Sequence, residues 1–369
     1  MLGRERMMKR RELLKLAATG TAVTAVASPA IAQSAPEIRW RLTSSYPRSL
    51  DTIYGGADVL AKAVSDATDG KFQIQPFAAG EIVPGLQALD AVQNGTVEMC
   101  HSAPYFYIGK DPAFAFGTAV PFGLNTRQQN AWFRYGDGMT LLNELYGRFG
   151  LYGLVGGNTT AQMGGWFRKQ IKTVADLQGL KMRIGGLGGQ VLAKLGVVPQ
   201  QIAGGDIYPA LEKGTIDAAE WAGPYDDEKL GFAKVAPHYY YPGFWEGGAS
   251  IHFFINKAKW EQLPKNYQAI LTQAAAFANA DMAEKYDAKN PVALKSVVAA
   301  GAKLHPFPTE VLEAAYKATN EIFDDIAAKN ELFKRLNDSM KSFRNDGYLW
   351  WQVCEYTYDN FMIRTRSRG

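Results

Sequence analysis

The chain has 369 residues, 47% apolar and 21% charged, which is ample for packed cores in about two domains and carries no disorder signature. Its formal net charge is +4, but residues 1–32 hold six basic and two acidic side chains, and the remainder balances at 34 basic against 34 acidic residues. The totals give no support to a polyanion-binding or nucleic-acid function, and Cys100 and Cys354 are too few for a disulfide framework, although one pairing stays open.

Residues 1–32 read as an export signal, to be removed from fold reasoning. A basic region ends at Lys15, a weakly apolar stretch runs from Leu16 to Ala27, and Ala30-Ile31-Ala32 places cleavage before Gln33. Lys9-Arg10-Arg11-Glu12-Leu13-Leu14-Lys15 resembles a twin-arginine signal. The apolar stretch is shorter than the roughly 20 residues that a membrane span needs. The expected product is a soluble protein outside the cytoplasmic membrane.

Ile38, Trp40 and Leu42 alternate with polar residues and predict a first strand. Asp51–Thr68 has helical spacing at Leu60, Ala63 and Val64 and is closed by Asp69-Gly70; Phe72, Ile74 and Pro76-Phe77 predict a second strand. Together they form a βαβ opening of the kind that builds parallel sheets. Ala91-Val92-Gln93-Asn94-Gly95-Thr96-Val97-Glu98 matches Ala210-Leu211-Glu212-Lys213-Gly214-Thr215-Ile216-Asp217. Each reads as a helix end, a glycine cap and a strand entry, suggesting two α/β lobes of related local construction. A strand is expected over Lys181–Ile184, a glycine turn over Gly185–Gly189, and a helix from Val191 to Leu195. A long Ala-rich helix is expected from Asn266 to about Ala300, broken or kinked at Pro291. Another should start near Pro308-Thr309-Glu310, and the stretch to Ile363 again favours helix, with Trp350, Trp351 and Tyr356 among its apolar positions.

Catalytic chemistry is poorly supplied. The four histidines show no i, i+4 metal spacing, and there is no GxSxG elbow and no Walker A loop. The glycine cluster misses the dinucleotide fingerprint because Val191 stands at its third position, so a turn that brings backbone amides to a small anion is the better reading. Arg183 falls at the end of a strand whose Met182 and Ile184 face a core, which aims its guanidinium at the crevice. A guanidinium holds a carboxylate by two parallel hydrogen bonds. Glu220-Trp221 and Trp245-Glu246 set carboxylates beside bulky aromatics, and with the amide oxygen of Gln162 they would make a hard-oxygen cation site.

Thr173-Val174-Ala175-Asp176-Leu177-Gln178-Gly179-Leu180-Lys181-Met182-Arg183 resembles the signature of the extracytoplasmic solute receptors of tripartite ATP-independent periplasmic (TRAP) transporters. The similarity covers essentially the whole chain after the signal, and it is greatest to the 2-oxoacid branch. Asn158-Thr159, the run Gln162–Arg168, the stretch Val197–Pro209 and Pro224-Tyr225-Asp226-Asp227-Glu228 carry it. The resemblance implies that Arg183 binds a ligand carboxylate, and that Gln162, Glu220, the main-chain oxygen of Trp221 and Glu246 surround a cation bridging to the ligand. It adds Asn158 and Tyr105 as further pocket residues.

The implied fold is α/β, a two-lobed periplasmic binding protein fold with an interlobe ligand cleft, a long lobe-spanning helix and a helical C-terminus. Lobe I is expected from residues 33–157 with part of 247–300. Lobe II is expected from 158–246 with part of the C-terminal region, leaving 301–369 as C-terminal helices that support a homodimer. The implied function is periplasmic capture of a small monocarboxylate, a 2-oxoacid such as pyruvate or a 2-hydroxyacid such as lactate, for delivery to integral membrane subunits. The nearest branch points to Na⁺, whereas two glutamates and a ligand anion against Arg183 leave −2, which Ca²⁺ neutralises. An exported metal-dependent enzyme and a periplasmic sensor receptor remain the rival readings.

Overall fold

The computed structural model describes residues 36–366, so the export signal read over residues 1–32 lies outside the described residues. Two sheets organise them. The first orders its strands β2-β1-β3-β10-β4, with β1 Ile38–Ser44, β2 Phe72–Phe77, β3 Met99–Ser102, β4 Leu151–Asn158 and β10 Ser250–Asn256. The second runs β11-β9-β5-β8-β6-β7, with β5 Trp166–Phe167, β6 Lys181–Arg183, β7 Val198–Gln200, β8 Ala218–Ala219, β9 His238–Tyr241 and β11 Lys303–Pro306. This is the two-lobed α/β fold. Each lobe opens with three parallel strands, β2-β1-β3 in one and β7-β6-β8 in the other, followed by an antiparallel neighbour, β10 or β5. Pro76 is tolerated because β2 is an edge strand, where its missing N–H interrupts no inner ladder.

The two matching octapeptides form the same joint. Gly95 and Gly214 have φ of +73° and +70°, and each donates its N–H three residues back, to Val92 and Leu211 at 3.1 Å. Any side chain there would strain the left-handed backbone. Val97 and Ile216 then drop into the cores, fully buried. The following acids bind equivalent neighbours: Glu98 accepts from the Arg41 amide (2.8 Å) and Asp217 from the Lys181 amide (3.0 Å).

The helix over Lys265–Ala299 runs uninterrupted through Pro291, so of the break or kink expected from the sequence, the break does not occur. Pro291 and Asp287 lie on its exposed face, so water can serve the carbonyl that the proline leaves unpaired. Its buried stripe includes Leu271, Ala274, Ala278, Met282 and Tyr286, spaced by three and four. Met282 fits a slot that only glycine permits: a Cβ on Gly157 or Gly56 would stand 2.5 or 2.6 Å from its methyl carbon. This end of the helix packs on the first sheet. Farther along, Tyr286 donates to Asp226 (2.7 Å) and Asn290 accepts from the Tyr225 amide (3.1 Å), tying the same rod to the second lobe.

Helices over Thr309–Ala327, Glu331–Trp351 and Thr357–Thr365 complete the described chain, the last two joined by a π-turn at Gln352–Tyr356. No helix among the described residues is long and apolar enough to cross a membrane. Cys100 is buried and Cys354 half-buried, and both are free, so the pairing left open by the sequence does not form.

Candidate functional site

The strand ends of the second lobe carry the charge. β6 stops at Arg183, one residue shorter than expected, and the helix begins directly on the glycines, at Gly186. The Arg183 side chain is 1% exposed. Its Nε donates to the Ile202 carbonyl (3.2 Å) and its Nη1 to both the carbonyl and the carboxylate of Glu220. The guanidinium lies over the Trp221 ring, 4.9 Å from its centroid. The fork expected to be free for a ligand is therefore half committed within the protein, and Nη2 is the nitrogen tied to neither Glu220 nor Ile202. Sequence could not reveal this, because the pairing spans 37 residues through the parallel register of β6 and β8.

The glycine turn does present an amide to an anion, and that anion is Glu220: the Gly185 N–H donates to its Oε1 at 3.2 Å. Tyr105 packs so tightly over the turn that a Cβ on Gly185 or Gly186 would meet its ring at 2.8 or 2.5 Å. Trp221 donates its indole N–H to Asp226 (3.3 Å), which fixes the ring against Arg183. Gln162 donates Nε2 to the Thr159 hydroxyl (2.8 Å). Asn158, the last residue of β4, accepts through Oδ1 from the Thr126 hydroxyl and the Thr160 amide, both at 2.9 Å, leaving its amide nitrogen unpaired.

What remains unpaired defines the site's chemistry. Glu220 Oε2, both carboxylate oxygens of Glu246 and Gln162 Oε1 are buried without a hydrogen bond. Burial raises the pKa of Glu220, opposed by Arg183 and the Gly185 amide. Burial also raises Glu246 well above the usual carboxylate range, reinforced by Glu220 and opposed by Arg183, Tyr105 and Gln162. Tyr105 and Gln162 thus stand near enough to Glu246 to lower its pKa, although neither makes a hydrogen bond of good geometry to it. Arg183 is held charged, with Glu220, Tyr105 and Glu246 outweighing its own burial.

One guanidinium cannot satisfy two buried carboxylates, and uncompensated buried charge is costly. Unpaired carboxylate and amide oxygens are the donor set of a hard cation. Among the described residues no three His, Cys, Asp or Glu side chains gather as a metal site. The cation set named from sequence thus has two carboxylates and depends on the Gln162 amide and the Trp221 carbonyl for the rest. Tyr46, Tyr105, Thr159, Gln162, Trp221 and Ala249 line a void of about 10 Å³, room for about one water.

The structure brings Arg183, Glu220, Glu246, Gln162, Trp221 and Tyr105 together; Gln162, Trp221 and Tyr105 line the void, whereas Arg183, Glu220, Glu246 and Asn158 do not. Sequence reasoning missed Tyr46 and Thr159. Tyr46 carried a usable signal, its place just after the C-terminal end of a parallel strand.

The model of the bacterial extracellular solute-binding protein family 7 matches residues 43–330. The Monocarboxylate 2-oxoacid-binding periplasmic protein of Nostoc sp. is 51% identical over 360 residues, covering 96% of this chain and 99% of that protein. A TRAP transporter solute binding protein from Bordetella bronchiseptica is 54% identical, with a TM-score of 0.89 over 90% of this chain and 99% of that one. It was crystallised as a mixed-occupancy dimer, with copurified calcium and picolinate in a bound active site against an apo site. A TRAP periplasmic solute binding protein from Pseudoalteromonas atlantica, with bound sodium and pyruvate, is 39% identical, with a TM-score of 0.86 over 88% of this chain and 99% of that one.

Proposed function

The chain belongs to the bacterial extracellular solute-binding proteins of family 7, the receptors of TRAP transporters, and from that premise we propose that it captures a small monocarboxylate in the periplasm through Arg183 and a bridging cation. The solute is a 2-oxoacid such as pyruvate or a 2-hydroxyacid such as lactate, and the receptor passes it to integral membrane subunits. The observation that carries this reading is the set of buried, unpaired oxygens on Gln162, Glu220 and Glu246 beside a single guanidinium. The relatives' names and ligands support the solute class.

In this reading Glu220 holds the Arg183 guanidinium still, and Nη2 meets the ligand carboxylate. Gln162, Glu220, Glu246 and the Trp221 carbonyl hold Na⁺ or Ca²⁺. When bound, the cation supplies the positive charge that the two carboxylates lack and polarises the ligand's oxygens. Tyr105 closes over the glycine turn, and the Asn158 amide nitrogen is a further donor toward the solute. Ligand favours the closed arrangement because it joins groups from both lobes.

A homodimer is part of the proposal. Leu349, Trp350, Val353, Tyr356, Tyr358 and Phe361 are each 62–69% exposed on the C-terminal helices, an apolar face of the sort that marks an interface.

The test is calorimetric titration with pyruvate and lactate in Na⁺, in Ca²⁺ and in choline chloride after exhaustive removal of both cations. Binding that requires either cation, and a cation response abolished in Glu246→Gln, is the expected result. Full affinity without Na⁺ or Ca²⁺ removes the cation from the scheme. No binding of either acid under any condition removes the carboxylate class. Sedimentation equilibrium should give a dimer, with self-association weakened in Trp350→Ser/Phe361→Ser.

A further inference from the structure

The second lobe brings charge to the site, while the wall supplied by the first lobe is mostly apolar. Ile53, Ala103, Phe106 and Ile251 line the void, and Tyr46 stands among them. Tyr46 follows β1, at the end of the parallel strands where α/β sheets bind ligands. Its side chain is 1% exposed, and its ring packs edge-on to Trp221 and to His101, with centroids at 6.2 and 5.5 Å.

The Tyr46 hydroxyl is buried without a hydrogen bond of good geometry. A phenol ordinarily titrates at about 10, so at neutral pH the group is a neutral O–H. The backbone group acting on it is the Ala103 amide, which can only donate. The hydroxyl proton is therefore unspent, and a buried unspent donor calls for an acceptor.

We propose that Tyr46 is a ligand-binding residue that selects 2-oxoacids and 2-hydroxyacids over plain carboxylic acids, its hydroxyl donating to the oxygen on C2 of the ligand. The proposal rests on the carboxylate-receptor reading above and deepens it. With the carboxylate taken by Arg183 on the second lobe, the substituted end of the acid faces Tyr46. Ile53, Ala103, Phe106 and Ile251 suit its alkyl part, and the C2 oxygen is the polar atom left for the Tyr46 hydroxyl. Tyr105 is placed differently, its ring packed over the glycine turn so closely that a Cβ on Gly186 would meet it at 2.5 Å. An acid without the C2 oxygen leaves the Tyr46 hydroxyl desolvated and unpaired, and sites built around a hydrogen bond reject such analogues strongly.

Calorimetry on the wild-type protein and Tyr46→Phe, with pyruvate, lactate and propionate in the presence of Na⁺ or Ca²⁺, tests this. Pyruvate and lactate should each bind about tenfold more weakly to Tyr46→Phe, while propionate changes by less than about twofold. An equal loss for all three acids, or no loss for any, overturns the proposal and leaves the receptor reading standing. An unchanged melting midpoint of ligand-free Tyr46→Phe is expected, since the ring is kept. Should the variant fail to fold, the wild-type protein still decides: a preference for pyruvate over propionate below about tenfold overturns the assignment. Wild-type protein that binds none of the three acids sinks the receptor reading itself.

Discussion

The two lobes use one local construction and finish it in opposite ways. In each, an acid after the helix–glycine joint binds the amide two residues ahead of a central-strand position: Thr43 in the first lobe, Arg183 in the second. Register makes these equivalent, Thr43 pairing with Cys100 and Arg183 with Ala219. Three residues past the acids stand His101 and Glu220. Around His101 the groups are neutral. Ser44 Oγ meets its Nδ1 at 3.3 Å, and Ser45, Ser102 and Tyr107 join their hydroxyls at 2.7 Å. Around Glu220 the groups are charged, and its Oε2 and both oxygens of Glu246 have no partner. A neutral hydroxyl network saturates itself within the protein, whereas a buried ion pair with surplus carboxylate does not. The second lobe alone leaves charge in need of compensation; the unpaired groups of the first, Thr43 Oγ1, the Tyr46 hydroxyl and His101 Nε2, are neutral.

The strongest way to break this comparison is to truncate the two equivalent positions. Arg183→Ala strands Glu220 and Glu246 in the interior and should cost about 3–5 kcal/mol of stability. It should also abolish the rise in melting midpoint caused by pyruvate. Thr43→Val removes a buried hydroxyl that has no partner, and denaturant unfolding should place it within about 1 kcal/mol of wild type. Comparable losses from both would mean that the charged strand end is no more demanding than the neutral one.

A second contrast lies in the response to acid. Burial raises Asp227, in the second lobe, from 3.8 to about 7, against the hydrogen bonds of Tyr239 and Trp166. The folded chain then binds a proton that the unfolded chain lacks, so this group's penalty on folding is relieved as pH falls from about 7 toward 4. Burial lowers His101 and His252, in the first sheet, from 6.5 to about 3. Their contribution favours the fold above pH 6.5 and is lost as pH falls toward 3. Unfolding midpoints measured from pH 4 to 8 should show Asp227→Asn more stable than wild type near pH 8 and losing that margin toward pH 4. His101→Gln should show a shallower loss below pH 6.5. Opposite trends would dissolve the distinction between the lobes.

The smallest effect should come from the contacts at the cleft mouth. Asp51 of the first lobe meets Lys229 and Tyr225 of the second, with Lys285 of the long helix nearby. Asp51 is 47% exposed and Lys229 28%, and ion pairs of this kind contribute about 0–1 kcal/mol. Asp51→Asn should shift pyruvate affinity by less than about threefold, and less still in high salt. A larger shift would move part of the holding power from the charged strand end to the rim.

The sequence was legible where the physics is local. Alternation gave β1 and β2, and the glycine joints gave both lobe openings, because positive φ leaves a residue signature. β5 and β8 have two residues each and β7 has three, too short for any periodicity, and they exist only through their neighbours. The expected helix over Asp51–Thr68 starts at Gly55, and the turn over Gly185–Gly189 is mostly helix, because packing against Tyr105 and Trp245 overrides the weak propensity of glycine. The family resemblance named the charged site residues. It could not disclose that Glu220 occupies half of the Arg183 fork, nor that Tyr46 enters from the other lobe, since both depend on contacts distant in sequence.

The small size of the void has a consequence in time. With space for about one water, the walls as they stand leave no room for an organic acid. Entry and departure then wait on separation of the lobes, so the residence time of a solute is set by how often the protein opens and how strongly each acid biases that event. Two acids of unequal affinity would be released by the same motion at different frequencies, and the protein acts as the clock of its own delivery.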